Sequence, residues 1–313
     1  MHPAIAAVIP LYNKGPHIER AIRSALEQTD PPDEIIVVDD ASEDDGPARA
    51  GRFSGVNLLK RAAPGAGGYA ARNLAIREAA SPWIAFLDAD DAWHPEYLRT
   101  ARDLIATWPD AGGVFMARTI VRSDGSSFVQ TSLDGGGPAR RFDFTGFVRL
   151  WLRLRRTPMW TSAAVVRRDV LIQAGLFPEG RCERGGDKDL WLRVARTAPL
   201  IGAPFVGATY FNDAVNQVTR RASLNAQPLV CQTIAAWMPT APPSGRALLR
   251  RLYNLEASSY AKWLFGEERL SPRVYRGFYV ADNPLTYLAL AAASAAPLEL
   301  QRAVRRLIPR HPF

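Results

Sequence analysis

The sequence predicts an α/β fold: a mixed, mostly parallel sheet with helices on both faces, followed by a C-terminal helical extension. Three observations carry this. Between Ile5 and Leu87, short apolar runs alternate with segments of helical spacing. The connections between them are short, as in parallel strands joined by helices. From about Gln227 the chain becomes helical, Arg-rich and punctuated by proline.

Ile5 to Ile9 is an apolar run and the first strand, and Pro10 to Gly15 is a loop. From Pro16 to Gln28, apolar residues at Ile18, Ala21, Ile22, Ala25 and Leu26 have helical spacing, which Pro31-Pro32 ends. Glu34 to Val38 is a β-branched strand running into Asp39-Asp40. A short helix over Ala48–Phe53 and a strand over Val56–Lys60 lead to the flexible loop Gly65–Gly68 and a helix from Tyr69 to Ala80. Trp83 to Leu87 is a buried strand, and a helix follows from Pro95 to Trp108. Gly112 to Arg122 is another strand, turned by Ser123-Asp124-Gly125-Ser126. Helices over Phe144–Arg156, Asp169–Ala174 and Asp187–Thr197 surround a strand at Ala163–Val166. The extension holds helical segments over Arg246–Tyr260 and Pro284–Leu307.

The 313 residues are 47% hydrophobic, enough for a substantial core. A formal charge of +8 favours anionic partners such as nucleotides, nucleic acid or anionic lipid. No recognition motif supports nucleic acid. Two cysteines, Cys182 and Cys231, give neither a disulfide framework nor a zinc site and fit a reducing compartment. The N-terminal run lacks a basic flank and a cleavage signal, so it does not read as a leader. The longest weakly apolar stretch, Pro284 to Leu298, is shorter than the ~18 to 20 residues that span a bilayer. The expectation is a cytoplasmic protein, soluble or peripheral at the inner face of the cell membrane. G-x-G-x-x-G after the first strand and G-x-x-x-x-G-K-[ST] are both missing, which disfavours a dinucleotide-binding enzyme and a P-loop NTPase.

The most informative segment is Trp83-Ile84-Ala85-Phe86-Leu87-Asp88-Ala89-Asp90-Asp91. Carboxylates at the carboxyl end of a buried strand sit where open α/β sheets hold ligands. They repel one another unless a cation or strong donors compensate. Hard cations such as Mg²⁺ or Mn²⁺ bridge such acids to phosphates. The plainer alternative is a helix N-terminus capped by Asp90 or Asp91. Three further pieces belong to the same sheet edge: Ile9-Pro10-Leu11-Tyr12-Asn13, Val37-Val38-Asp39-Asp40-Ala41-Ser42 and Ala71-Arg72-Asn73.

These four pieces in order, with Gly186-Asp187-Lys188-Asp189-Leu190-Trp191-Leu192-Arg193 downstream, resemble the family 2 glycosyltransferases over about residues 3 to 225. The resemblance implies a GT-A (Rossmann-like) fold. Residues 1–110 would be its nucleotide-sugar-binding half, 111–226 the acceptor-binding half, and 227–313 the helical extension. It implies an inverting, metal-dependent transferase. This would move a sugar from a nucleotide-diphosphate sugar, with UDP favoured, to a hydroxyl of a glycan or lipid-linked acceptor in cell-envelope or extracellular polysaccharide synthesis.

Pro10 and Tyr12 fall at the base-binding strand end, where an aromatic face stacks on a base. Asp40 matches the carboxylate that accepts from the base, with Asp39 supporting it or capping the next turn. Arg72 matches a position near the base and diphosphate. Asp88 and Asp90 form the D-x-D pair, touching ribose and the divalent metal (Mn²⁺ or Mg²⁺). Asp91 replaces or supplements Asp90 as a ligand. Asp187 matches the base that deprotonates the acceptor, with Asp189 the runner-up; Gly186 departs from the Glu common in the family. The acceptor half would use Thr161, Ser162 and the Gly-rich loop 134–138 to hold the acceptor. Tyr210-Phe211-Asn212-Asp213 offers no His as a further metal ligand. The alternative function is a non-catalytic sugar-nucleotide-binding or membrane-associated scaffold protein. The Arg-rich segments Phe147–Arg156 and Arg302–Arg310 raise peripheral membrane contact; for the first, a helix packed on the sheet with its Arg residues at the rim is preferred.

Overall fold

The computed structural model describes residues 2–212, 226–265, 267 and 269–307. Asp213 and the end of the Arg302–Arg310 segment lie outside them. The chain divides into two compact units, Met1–Arg221 and Ala222–Phe313.

In the first unit, strands β1 (Ile5–Leu11), β2 (Glu34–Asp39), β3 (Val56–Lys60) and β4 (Trp83–Phe86) pair in parallel. They are joined by α1 (Gly15–Leu26), α2 (Gly46–Ala50) and α3 (Tyr69–Glu78). The short β5 (Ala92–Trp93) and α4 (Tyr97–Thr107) follow, then β6 (Gly113–Val121), β7 (Ser127–Gln130), β8 (Arg140–Phe142) and α5 (Phe144–Leu154). The unit continues with β9 (Ala164–Arg167), α6 (Arg168–Gln173), α7 (Gly186–Thr197) and β10 (Leu200–Phe211). The sheet order is β3-β2-β1-β4-β9-β6-β10-β5, with β7 on β6 and β8 on β10. Parallel pairing rules up to β4. Beyond it β9 runs antiparallel to both β4 and β6, so β6 points the same way as β4. The carboxyl ends of β1, β2, β4 and β6 therefore share one edge.

Alternation along β1 explains the two layers. Ile5, Ala7, Ile9 and Leu11 pack with Ile18 and Ile22 of α1 and with Leu98 and Ile105 of α4. On the opposite face Phe86 meets Phe177 and Trp191, and Phe115 meets Phe147 of α5. Phe147, Val148, Leu150 and Trp151 are fully buried, while Arg149 and Arg153 lie outside. The segment Phe147–Arg156 thus spends its apolar face on the core, and Arg149, Arg153 and Arg155 form a solvated rim.

The second unit holds α8 (Leu229–Trp237), α9 (Pro243–Leu264), α10 (Pro284–Ala295) and α11 (Leu298–Leu307). The single segment expected over Pro284–Leu307 is two helices, because Pro297 has no N–H and separates them. Among the described residues no helix is long and apolar enough to cross a membrane.

Candidate functional site

The strand ends are tied together by backbone hydrogen bonds. Asp40 N–H donates to the Leu11 carbonyl at 2.8 Å, and Leu87 N–H to the Val8 carbonyl at 3.0 Å. The loops after β1 and β2 are cross-linked by side chains. Asn13 N–H donates to Ser42 Oγ (3.1 Å), and Glu43 N–H to Asn13 Oδ1 (2.8 Å). Both loops carry a left-handed residue, Asn13 at φ 50° and Ala41 at φ 60°. Such backbone is uncommon for alanine and persists only where surroundings enforce it. Tyr12 stands on this platform with 40% of its surface exposed, an unusual state for a large aromatic beside a core strand. Pro10 pairs with Val38 inside the sheet.

Asp40 is buried, held by Arg61 and by Gly65 N–H at 3.0 Å. Asp39 accepts from Ser42 N–H at 2.9 Å, so it caps the turn that follows β2. Arg72, on the first turns of α3, donates Nη2 to Asp88 Oδ1 at 2.5 Å and Nη1 to the Gly67 carbonyl at 3.0 Å. Its guanidinium carbon lies 5.4 Å from the centroid of the Phe177 ring. Burial opposes its charge, but Asp88, with Tyr69 and Asp187, together outweigh burial and the Arg72 pKa is raised.

The acid loop is a web. Asp90 pairs with Lys14 Nζ at 2.6 Å, and its carbonyl accepts from Arg20 at 2.5 Å. Asp91 is buried, accepting from Ser162 Oγ at 2.5 Å while its Oδ1 has no partner. Burial, then the charges of Asp90 and Asp88, push its carboxyl well above the ordinary range. Ser162 Oγ also accepts from Asp88 N–H at 3.1 Å. Ser162 is fully buried and Thr161 nearly so. These two were expected to face the acceptor; Ser162 instead braces the acid loop from beneath. The loop Asp134–Pro138 is anchored at Asp134, which pairs with Arg140 and Arg153, both at 2.6 Å.

Asp187 lies in the first turn of α7, and its charge is felt by Arg72, Tyr69 and Arg118. That places it at the same edge as the acid loop. The runner-up Asp189 is fully buried and holds Arg193 at 2.9 Å, a structural ion pair. Gly186 donates its N–H to Tyr69 Oη at 2.9 Å. A Cβ there would stand 2.6 Å from Pro178, 2.8 Å from Tyr69 and 3.0 Å from Cys182. A larger residue would have to displace these side chains, so the glycine at 186 matches the packing around it.

A sequence profile of glycosyl transferase family 2 matches residues 6–174, more than half the chain. The chain belongs to this family. Glycosyltransferase AglE of Haloferax volcanii is 30% identical over 203 residues, which are 63% of this chain and 62% of that protein. Staphylococcus aureus TarS 1–349, solved with UDP-GlcNAc, superposes with TM-score 0.71 at 14% identity, covering 97% of this chain and 92% of that one. Mannosyltransferase PcManGT of Pyrobaculum calidifontis, solved with GDP-Man and Mn²⁺, gives TM-score 0.59 at 21% identity, covering 98% and 80%. The structural likenesses show the shared fold.

Within this family 2 chain, the fit of a divalent cation can be judged from the donors present. Three carboxylates within four positions, one with an orphaned buried oxygen, leave the loop short of positive charge. Among the described residues no three acid, His or Cys side chains converge as a ready cage. Asp88 is turned to Arg72 and Asp90 to Lys14. That donor set suits a cation taking one or two carboxylates and completing its shell with substrate phosphates and water, as Mg²⁺ does.

Several residues that build this edge escaped the sequence reading: Lys14, Arg61 and Arg118. Lys14 and Arg61 flank recognised pieces with nothing local to mark them. Arg118 did leave a signal, a lone charge inside the apolar strand Gly113–Val121.

Proposed function

We propose that this protein is an inverting, metal-dependent glycosyltransferase. It moves a sugar from a nucleoside-diphosphate sugar, UDP-linked by preference, to a hydroxyl of a glycan or lipid-linked acceptor in cell-envelope or extracellular polysaccharide synthesis. The observation that carries this is the electrostatic chain Asp88–Arg72–Asp187. A phosphate-seeking guanidinium bonds Asp88 of the acid loop and lies within reach of the charge of Asp187. In this reading residues 1–110 hold the donor and 111–226 the acceptor.

Tyr12 and Pro10 stack against the base, whose N–H is accepted by Asp40; Asp39 shapes the turn beneath. Arg72 binds diphosphate oxygens in fixed geometry. Asp187 accepts the proton of the acceptor hydroxyl. That oxygen forms its bond to the anomeric carbon from the face opposite the diphosphate. The carbon–oxygen bond to the diphosphate breaks, and the nucleoside diphosphate carries the electron pair away. A divalent cation on Asp88 and Asp90, with Asp91 beside them, would neutralise charge on the leaving group.

The test screens UDP-, GDP- and dTDP-sugars by thermal shift with and without Mn²⁺ or Mg²⁺, then measures nucleoside diphosphate release with candidate acceptors. Cation-enhanced stabilisation followed by acceptor-dependent release supports the proposal. Stabilisation with no turnover on any acceptor supports a sugar-nucleotide-binding scaffold instead. No response to any nucleotide sugar overturns both readings.

The proposal extends to work at the cytoplasmic face of a membrane. In the second unit Leu285, Leu288 and Leu300 are exposed, and Arg302 and Arg306 lie on the same helix as Leu300. Apolar side chains beside arginines suit an anionic bilayer surface. Co-sedimentation with phosphatidylglycerol vesicles but not phosphatidylcholine vesicles is the expected result; equal recovery from both removes this extension.

A further inference from the structure

A second buried guanidinium lies on this edge, and it has no anion. Arg118 leaves β6 with 5% of its surface exposed. Its Nε and Nη2 donate to Gln130 Oε1 at 3.0 and 2.7 Å, a neutral acceptor. Its Nη1 is buried without a partner. Trp160 lies beneath it, ring centroid 3.3 Å from the guanidinium carbon, and the buried Trp160 Nε1 is also without a partner. Arg156 is a neighbour. It donates only to backbone carbonyls, those of Leu154 and Thr131, at 3.3 and 2.7 Å. Neither arginine makes an ion pair within 4.0 Å among the described residues. Burial lowers the pKa of both, that of Arg118 to about 10 despite the more distant charges of Asp91 and Asp187. A buried and a half-buried cation neighbour each other, and two buried donors beside them have no partner, where chain-internal counter-charge is missing; that combination is costly unless an anion arrives from outside.

Every contributing residue comes from the part of the chain that follows β5, and the charge of Asp187 reaches the cluster. We propose that Arg118, Arg156 and Trp160 Nε1 form an oxyanion subsite for the acceptor, which therefore carries a carboxylate or a phosphate near the hydroxyl that reacts. This rests on the glycosyltransferase reading and deepens it by naming the acceptor's chemical class. A guanidinium pair matches either oxyanion bidentately, and an indole N–H adds a third donor.

The test uses the full chain saturated with UDP, so that the donor's diphosphate site is filled. Calorimetric titration compares sn-glycerol 3-phosphate, methyl β-D-glucuronide and neutral methyl β-D-glucoside. Binding of one anion, with the glucoside silent, is the expected result and says whether phosphate or carboxylate is recognised. Arg156→Gln is expected to weaken that anion about tenfold while leaving UDP affinity within twofold. Trp160→Phe keeps the ring and removes the N–H, and is expected to weaken the anion several-fold. Because Arg118 is buried, the half-buried Arg156 carries the test. Silence of both anions, or full binding by both variants, overturns the proposal. So does an equal loss of UDP affinity in Arg156→Gln, which would assign the pair to the donor diphosphate. Failure of the wild type to bind UDP, with anion binding intact, would fault the donor reading and not this subsite.

Discussion

Arg72 and Arg118 are both buried arginines on one sheet edge, yet their circumstances are opposite. Arg72 has a carboxylate partner at 2.5 Å and its charge is reinforced; Arg118 has a neutral amide and its pKa falls to about 10. Both lie under similar burial. What separates them is whether the chain supplies the counter-charge. Where it does, the guanidinium is positioned before any ligand arrives. Where it does not, the fold carries an electrostatic debt whose sign points to the ligand.

Asp187 is the group whose charge reaches both arginines, so its removal is expected to have the largest effect. Asp187→Asn should lower acceptor-dependent turnover by roughly 10²- to 10⁴-fold while leaving nucleotide affinity within about twofold. A variant with full turnover breaks the base assignment. Arg72→Gln comes next. It removes charge-assisted bonds worth about 1.5–3 kcal/mol, so nucleoside diphosphate affinity should drop by roughly tenfold or more, measured by calorimetry. An unchanged affinity would erase the distinction drawn between the two arginines.

Asp91→Asn is expected to stabilise the cation-free protein. The folded Asp91 carboxyl has a raised pKa, so below the unfolded value of 3.8 it is neutral in both states and costs nothing. As pH rises past that value the unfolded chain ionises first, and wild-type stability falls until the folded group ionises too. The Tm advantage of Asp91→Asn in EDTA should therefore widen from pH 4 to pH 8, reaching a few degrees, the scale of about 1 kcal/mol. A pH-independent gap would mean the burial of Asp91 is relieved in solution. Tyr12→Ala closes the series. With its side chain 40% exposed, it should leave Tm nearly unchanged and weaken base binding by about 0.5–1.5 kcal/mol.

The residues that line this edge from β1, β2 and β4 were readable because their placement is local. Tyr12, Asp40 and Asp88 each sit within a few residues of a strand end that hydrophobic patterning marks, and Arg72 lies in the opening turn of the helix after the Gly-rich loop. Their partners were not readable. Lys14 meets Asp90 across 76 positions and Ser162 meets Asp91 across 71, and no local pattern encodes such pairings. The same limit hid β10. Gly202, Pro204 and Gly207 break its apolar pattern into runs such as Leu200-Ile201 and Phe205-Val206, too short for periodicity alone to assign as a strand. The sheet accommodates them with register shifts between Ala203 and Val206 and between Val206 and Ala208. Asp39 shows the converse: an acid inside a recognised motif whose own bond is to a turn.

The bridging of Asn13 to Ser42 and Glu43 has a kinetic corollary. A cradle latched by hydrogen bonds between its own loops needs no folding event when a nucleotide lands. Capture on that side should follow a single concentration-dependent exponential in stopped-flow fluorescence, limited by encounter, with any slower phase confined to steps after the base is seated.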